Sequence, residues 1–240
     1  MDQRDLELSS FLGIGDPLLG PSTQSLRGLN FVDQTKDELE KTYNLKSLPS
    51  LPSTGLEIKS VQEIFPRAQT NIFLGSEATE RNLKDLDTSK FNVISFATHG
   101  LMANEWKNLD EPALVLTPTP NDSDYDGLLT ASEIRNLDFN ADLIVLSACN
   151  TAAGDGESDE GLSGLASAFI FAGAKSVMAS HWSIESNTTK NLMTSFFHNL
   201  KSKQTPNKAE ALRLAMQKIA SQEQFSHPIF WAPFVLVGQR

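Results

Sequence analysis

The residues of this chain best suited to chemistry are one thiol and one imidazole. Cys149 is the only cysteine among the 240 residues, and it follows an apolar run at residues 143–148. His99 follows a second apolar run at residues 91–97. A thiol needs a base or a positive neighbour to become a nucleophile at neutral pH, and His99 is the candidate base. The alternative is that Cys149 is a small buried hydrophobic residue.

The position of these two residues favours the chemical interpretation. Both apolar runs have the length and composition of buried parallel strands, and both end in polar or small residues. The carboxyl ends of parallel strands are the edge at which α/β proteins place functional side chains. The sequence therefore predicts that His99 and Cys149 come to the same edge of a sheet.

Strands and helices alternate along the rest of the chain. We predict strands at residues 10–15, 71–74, 91–97, 143–148, 176–180 and 234–237. We predict helices at residues 36–43, 56–65, 132–134, 162–170, 188–200 and 209–220, and one that opens at an N-cap Ser76. Gly173 is the expected C-cap of the helix at residues 162–170. This order predicts an α/β fold, with about six mostly parallel strands between two helical layers.

Composition limits the classes of partner. The formal net charge is −10, which opposes non-specific binding to nucleic acid or to an anionic membrane because both are polyanions. We therefore expect a protein or peptide partner. A lone cysteine forms no internal disulfide, and the sequence has no signal-like start and no apolar run near 18 residues. The sequence predicts a soluble, cytoplasmic protein.

Five ordered segments carry a family resemblance. They read ATHG at residues 97–100, LSACNT at 146–151, EGL with AFIFAGA at 160–174, ASHW at 179–182 and HPIFWAPF at 227–234. Together they resemble a CHAT domain, a caspase-like module usually found on larger proteins with tetratricopeptide repeats. The resemblance begins near Phe11, so we expect an N-terminal extension at residues 1–10 and a CHAT caspase-like peptidase domain at residues 11–240.

The resemblance implies a fold and an activity. The fold would be a three-layer α/β/α sandwich of the caspase–hemoglobinase type, and the activity that of a cysteine endopeptidase related to caspases and separases. His99 and Cys149 would be its catalytic dyad, and their separation of fifty positions matches that of the caspase pair. No cofactor is expected. The expected partners are a protein or peptide substrate and a regulatory protein or tetratricopeptide-repeat region.

Peptide hydrolysis assigns a role to each of these residues. Cys149 would attack the substrate carbonyl, and His99 would act as general base before it protonates the leaving amine. Gly100 has no side chain, so its N–H can approach a substrate closely. With the N–H of Cys149 it would form an oxyanion hole. The alternative for Gly100 is a tight turn after a strand.

The segment after the strand at residues 176–180 departs from the family pattern. His181 stands where the family commonly has leucine, and Ser186 stands where it commonly has an acid. In separases an acid of this region receives a basic substrate side chain, and Glu185 is the available replacement. His181 also follows a strand exit, and Trp182 lies close enough in sequence to contact substrate. We therefore expect His181, Trp182, Glu185 and Ser186 to bind the substrate. The alternatives are a surface role for Glu185 and a packing role for Trp182.

Other functional classes have less support in the sequence. A latent caspase-like adaptor or signalling module is the main alternative, and a flavodoxin-like binding module is weaker. Residues 13–15 lack the third glycine of a dinucleotide loop, and residues 161–164 have the wrong spacing for a serine nucleophile elbow. Four scattered histidines and one cysteine provide no paired zinc ligands. The acidic loop after Cys149 is a solvated connection, a mobile wall of the substrate cleft or a site of regulatory cleavage.

Overall fold

A computed structural model describes residues 8–19, 45–106, 108–119, 122, 124–147, 164–182, 186–202 and 207–239. The strands are β1 (Phe11–Pro17), β2 (Thr70–Gly75), β3 (Val93–Ala97), β4 (Gly100–Leu101), β5 (Ala113–Val115), β6 (Leu128–Thr130), β7 (Leu143–Leu146), β8 (Ser176–Ser180) and β9 (Phe234–Gly238). The helices are α1 (Pro52–Gln62), α2 (Glu80–Asp85), α3 (Ala131–Arg135), α4 (Gly164–Phe171), α5 (Ser186–Lys201) and α6 (Lys208–Ala220). Short 3-10 helices lie at Leu45–Ser47, Arg67–Gln69, Thr88–Lys90, Glu223–Phe225 and Pro228–Phe230.

The main sheet has six strands in the order β2-β1-β3-β7-β8-β9. Every neighbouring pair is parallel except β8 and β9, which are antiparallel. The parallel strands need crossover connections, which the helices supply. The prediction of about six mostly parallel strands is therefore confirmed.

Helices cover both faces of this sheet. On one face α1, α5 and α6 pack against the alternate strand residues Phe11, Val93, Val145 and Met178. On the other face α2, α3 and α4 pack against Leu12, Ile94, Ile144 and Val177. Because neither face meets water, the central strands β3 and β7 are apolar along almost their whole length. The result is the predicted three-layer α/β/α sandwich.

A second, smaller sheet lies beyond the end of β3. It consists of β4, β5 and β6, paired antiparallel, and it has its own apolar cluster around Leu101, Trp106 and Leu128. The sequence analysis did not predict this sheet, because strands of two or three residues are too short to show an alternating pattern. It is nevertheless the structure that continues directly from His99.

Helix α4 ends as predicted. Gly173 has φ +104°. Its N–H donates to the carbonyl of Ile170, and the N–H of Ala174 donates to the carbonyl of Phe169, with N···O distances of 3.1 and 3.0 Å. These two bonds form a Schellman motif, in which a glycine takes the left-handed position. Phe169 is fully buried against Phe96 of β3, so this cap fixes the helix that covers the centre of the sheet.

One predicted cap is wrong. The N-cap of α2 is Thr79, whose hydroxyl accepts from the N–H of Asn82 at 3.1 Å. Ser76 lies in the turn between β2 and that helix. The two residues have similar capping propensity, so sequence alone did not separate them. The predicted helix at residues 36–43 and Leu162 at the predicted start of α4 lie outside the described residues.

The end of β1 has an unusual backbone. Asp16 has φ +50°, and the pairing of β1 with β2 shifts register between Gly15 and Pro17. This conformation places the Asp16 side chain against Gly55 in the first turn of α1. Burial raises the pKa of the Asp16 carboxyl, and attraction to Lys59 only partly offsets that effect. The surroundings of Asp16 therefore disfavour the charged form of its carboxyl group.

Within the described ranges, no helix is both long enough and apolar enough to cross a membrane.

The glycine at the end of α4 leads to a stability prediction. Gly75 and Gly173 both have positive φ, but a Cβ on Gly75 would meet nothing within 4 Å. A Cβ on Gly173 would lie 2.3 Å from the carbonyl oxygen of Phe139. We expect Gly75→Ala to cost about 1–2 kcal/mol from backbone strain alone. Gly173→Ala should cost about 1–3 kcal/mol more because the backbone must move. Urea unfolding of both variants measures the difference, and equal costs would contradict the described cap.

The Asp16 carboxyl leads to a prediction about pH. Because its pKa is raised on folding, the folded chain holds this proton more tightly than the unfolded chain does. Stability from this group is thus present at acidic pH and lost as the pH rises through the interval between the unfolded and folded pKa. We expect Asp16→Asn to be more stable than wild type at pH 7 and to match it near about pH 3. Denaturant unfolding across pH tests this, with Asp124→Asn at an exposed position as the control.

Candidate active site

The imidazole of His99 is held by a backbone carbonyl. His99 follows β3 and is buried, with 4% of its surface exposed. Its Nε2 lies 2.8 Å from the carbonyl oxygen of Pro49, in the segment that leads into α1. A carbonyl oxygen can only accept, so Nε2 must carry the proton in this contact. In the neutral ring the lone pair then lies on Nδ1, and Nδ1 is the nitrogen able to act as a base.

The role of Pro49 was not found from the sequence. In the sequence, Pro49 and Pro52 indicate only an irregular surface segment that ends near Gly55. A backbone carbonyl has no residue-type signature, so no motif could have identified it. Only the folded chain brings residue 49 to the end of β3.

The backbone around His99 is fixed by the small sheet. The N–H of Val115 in β5 donates to the carbonyl of His99 with an N···O distance of 2.9 Å. The Thr98 hydroxyl donates in return to the carbonyl of Val115. The next residue, Gly100, pairs with Leu114 of β5. Gly100 therefore lies in a strand rather than in the tight turn that was its alternative interpretation.

The strand that leads to Cys149 lies directly beside the strand that leads to His99. Phe96 of β3 pairs with Leu146 of β7, and the N–H of Ser147 donates to the carbonyl of Phe96 at 2.8 Å. His99 lies three residues beyond Phe96 in the sequence, and Cys149 lies three residues beyond Leu146. Cys149 itself lies outside the described residues, as does the acidic loop that follows it. The described part of the site is thus the end of β7 and all of the His99 side.

The exit of β8, the neighbour of β7, carries two of the predicted substrate-binding residues. His181 and Trp182 are both exposed, and their ring centroids are 6.5 Å apart. The N–H of His181 donates to the carbonyl of Pro233, and the indole N–H of Trp182 donates to the carbonyl of Ile229 at 3.0 Å. Because β7 and β8 are parallel, both residues lie at the same edge of the sheet as His99.

The other two predicted pocket residues are less well described. Ser186 is the first residue of α5. Glu185 lies outside the described residues. The proposed pocket is therefore represented in the structure by its β8 side, His181 and Trp182.

Asp16 belongs to the same edge and was missed as a functional candidate. It lies at the carboxyl end of β1, the other neighbour of β3. Its positive φ and raised pKa are features that occur more often at functional sites than elsewhere. The available sequence signal is an aspartate before a proline, a pair that by itself indicates only the end of a strand.

A group of charges on α2 and α3 has a structural role. Glu80 of α2 is buried and accepts from the N–H of Gly127 at 2.7 Å. Lys84 bridges Glu80 and Glu133 at 2.9 and 2.8 Å, so it joins α2 to α3. Burial raises the pKa of Glu80, although the ammonium of Lys84 opposes this shift. In the described part of the chain, no three His, Cys, Asp or Glu side chains are grouped so that they could hold a metal ion.

Sequence comparison identifies tetratricopeptide repeat proteins as relatives of this chain. Tetratricopeptide repeat protein 28 of Mus musculus is 37% identical over 112 residues, which is 46% of this chain and 4% of that protein. Its counterpart in Homo sapiens is 32% identical over 111 residues, again 46% of this chain and 4% of that protein. The chain thus spans a small part of the length of these relatives.

Solved structures show the same fold at low sequence identity. The crystal structure of the Arg-specific cysteine proteinase gingipain R aligns with a TM-score of 0.53 and 10% identity. The alignment covers 100% of this chain and 48% of that one. A complex of the pro- and mature domains of RgpB from Porphyromonas gingivalis aligns equally well and is covered to 49%. At this identity the likeness shows that the fold is that of a caspase-like cysteine proteinase.

The family model of the CHAT domain matches residues 16–239, which is nearly the whole chain. Its span includes both strand exits that lead to His99 and Cys149, as well as the segment after β8. The resemblance noted in the five sequence segments is therefore confirmed: this chain belongs to the CHAT domain family.

Proposed function

We propose that this protein is a cysteine endopeptidase of the caspase-like type, with His99 and Cys149 as its dyad. The observation that carries the proposal is the pairing of β3 with β7. It sets Phe96 beside Leu146, and the dyad residues each follow three positions later. The contact of His99 Nε2 with the Pro49 carbonyl adds support, because it leaves Nδ1 as the base.

The chemistry follows from these assignments. His99 Nδ1 takes the proton of the Cys149 thiol, and the sulfur attacks the carbonyl carbon of the scissile bond. The N–H groups of Gly100 and Cys149 stabilise the oxyanion that forms. The protonated imidazole then gives its proton to the leaving amine, and a thioester remains. Water, activated by the same imidazole, hydrolyses this thioester and regenerates the thiol.

The backbone of Gly100 is suited to its role as an oxyanion donor. Gly100 follows His99 directly and is held in β4 by pairing with β5. A donor that is fixed before the reaction needs no reorganisation when the charge develops. Loss of one such donor typically costs about 10²–10³ in rate. The base and one oxyanion donor would therefore come from two adjacent residues, His99 and Gly100, at the start of this strand.

We place substrate selection at the residues that follow the carboxyl end of β8. His181, Trp182, Glu185 and Ser186 would line the pocket for the P1 side chain of a protein substrate. The exposed indole of Trp182 supplies apolar area, and its hydrogen bond to the Ile229 carbonyl fixes its orientation. The net charge of −10 favours protein or peptide partners over nucleic acid or membrane surfaces. A reactive thiolate without a disulfide suits a reducing compartment such as the cytoplasm.

Control by a partner is part of the proposal. The curated relatives are named for tetratricopeptide repeats, and this chain matches only 4% of their length. We infer that a regulatory protein or a tetratricopeptide-repeat region controls the peptidase. The same similarity supports a second candidate, a catalytically latent caspase-like adaptor in which His99 and Cys149 are present but not used.

The dyad is tested by covalent labelling. We expect peptide acyloxymethyl ketones with basic, acidic or apolar P1 residues to label Cys149, with one P1 class preferred. Cys149→Ala should abolish labelling, and His99→Ala should slow it by about 10²–10⁴-fold because the base is lost. Intact-mass measurement gives the rates. His198→Ala, at an exposed position on α5, is the matched control and should label as wild type.

The adaptor is distinguished by the same variants. An endopeptidase requires that Cys149→Ala lose function in cells, whereas an adaptor retains it. If no probe labels the wild type with candidate partners present, and Cys149→Ala functions normally in the cellular assay, the peptidase proposal is wrong. A Cys149→Ala protein that unfolds would be recognised by its thermal melt and excluded from the comparison.

A further inference from the structure

Two buried threonines make hydrogen bonds to the segments that contact His99. Thr98 and Thr54 both have 0% of their surface exposed. Thr98 precedes His99 directly, and Thr54 lies in the first turn of α1, near the segment that carries the Pro49 carbonyl. Burying a hydroxyl costs free energy unless the hydroxyl is hydrogen-bonded. The partners of these two hydroxyls therefore show which backbone groups each of them holds in place.

Thr98 fixes the main chain of His99. Its hydroxyl donates to the carbonyl of Val115, and the N–H of Val115 donates to the carbonyl of His99. The two bonds join β5 to both sides of the peptide link between Thr98 and His99. A rotation of that peptide link would move the imidazole and would also break at least one of these two hydrogen bonds. The hydrogen bonds to β5 thus fix the backbone torsion angles of His99, from which the imidazole extends.

Thr54 fixes the segment that holds the ring. Its hydroxyl accepts from the N–H of Asp16 at 2.7 Å and donates to the carbonyl of Leu51 at 2.8 Å. It therefore joins the end of β1 to the residue two positions after Pro49. Because β1 is the sheet neighbour of β3, this link holds the Pro49 carbonyl beside the end of β3. The hydroxyl uses both its donor and its acceptor capacity, which valine could not replace.

We propose that Thr98 and Thr54 are positioning residues for His99: the first locks its backbone onto β5 and the second locks the Pro49 carbonyl against Nε2. The proposal rests on the proposed role of His99 as the base. A catalytic group must be held within about 0.5 Å of its working position, and neighbouring hydrogen bonds supply that restraint. Neither threonine needs to touch the substrate.

Isosteric variants separate positioning from packing. Thr98→Val and Thr54→Val remove the hydroxyl and keep the shape, whereas Thr98→Ser and Thr54→Ser keep the hydroxyl. Thr88→Val is the matched control, because the buried hydroxyl of Thr88 also donates to a backbone carbonyl, that of Asp138, at 2.8 Å. Thr88 lies before β3, at the opposite end of the strand from His99. All variants are compared at a temperature at which their thermal melts show them folded.

The first measurement is the rate of Cys149 labelling by the best acyloxymethyl ketone. We expect each valine variant at positions 98 and 54 to label about 10- to 100-fold more slowly, because an ångström-scale displacement of a catalytic group can cost about 100-fold. The serine variants and Thr88→Val should stay within about threefold of wild type. Wild-type rates in both valine variants, or equal slowing by Thr88→Val, would overturn the proposal.

The second measurement does not depend on activity. The chain has four histidines, so ¹⁵N-labelled imidazoles in a Cys149→Ala background give few signals, and His99→Ala assigns the relevant one. We expect His99 to be the Nε2–H tautomer at neutral pH in this background. Thr54→Val should increase the Nδ1–H population, since the carbonyl that selects Nε2–H is released. Thr54→Ser and Thr88→Val should leave the tautomer unchanged.

The two measurements distinguish the positioning role of the threonines from the peptidase assignment. If wild type is not labelled but Thr54→Val shifts the tautomer, the positioning role stands and the peptidase assignment fails. If the tautomer is the same in Thr54→Val as in Thr88→Val, the positioning role of Thr54 is refuted whatever the labelling shows.

Discussion

The parallel pairing of β3 with β7 is the constraint on which the rest of the site depends. A strand has a period of two residues, so a slip of one residue would turn every side chain of β7 to the opposite face of the sheet. Helices cover both faces, and Ile144 and Leu146 pack in one layer while Leu143 and Val145 pack in the other. Burial on both faces therefore fixes the register, and with it the relative positions of the two strand exits.

The side chain of His99 needs further restraint, because it lies beyond the last paired residue of β3. That restraint comes from elements far apart in the sequence. The segment at Pro49 holds the ring, and β5 at Val115 holds the backbone. Each is fixed in turn by a buried hydroxyl or by the apolar cluster of the small sheet. The small sheet thus supports the backbone of His99 and of Gly100, although none of its strands exceeds three residues.

Burial and backbone conformation differ between the centre and the two sides of this edge of the sheet. Its centre, at the exits of β3 and β7, is buried and carries the proposed chemistry. Its β8 side is exposed at His181 and Trp182, where a substrate side chain could bind. On its β1 side Asp16 is held in a strained conformation with a raised pKa, at a cost to stability. On the β8 side, His181 and Ser186 are the positions at which the sequence departs from the pattern described for the family. Under the proposed function, these residues at the exit of β8 would decide which P1 side chain the protein accepts.

Sequence alone determined the elements whose signals are local. The bounds of β8 were predicted correctly, α3 and α6 were found close to their described ends, and Gly173 was identified as the cap of α4. These predictions succeeded because strand composition, helix periodicity and a left-handed cap depend on neighbouring residues. The sequence also identified the family, and it predicts His99 and Cys149 as the dyad. Tertiary structure decided the small sheet, the N-cap at Thr79, and the partners of His99 at Pro49 and Val115. Those features depend on backbone groups and on contacts between distant segments, and neither leaves a pattern that can be seen along the chain.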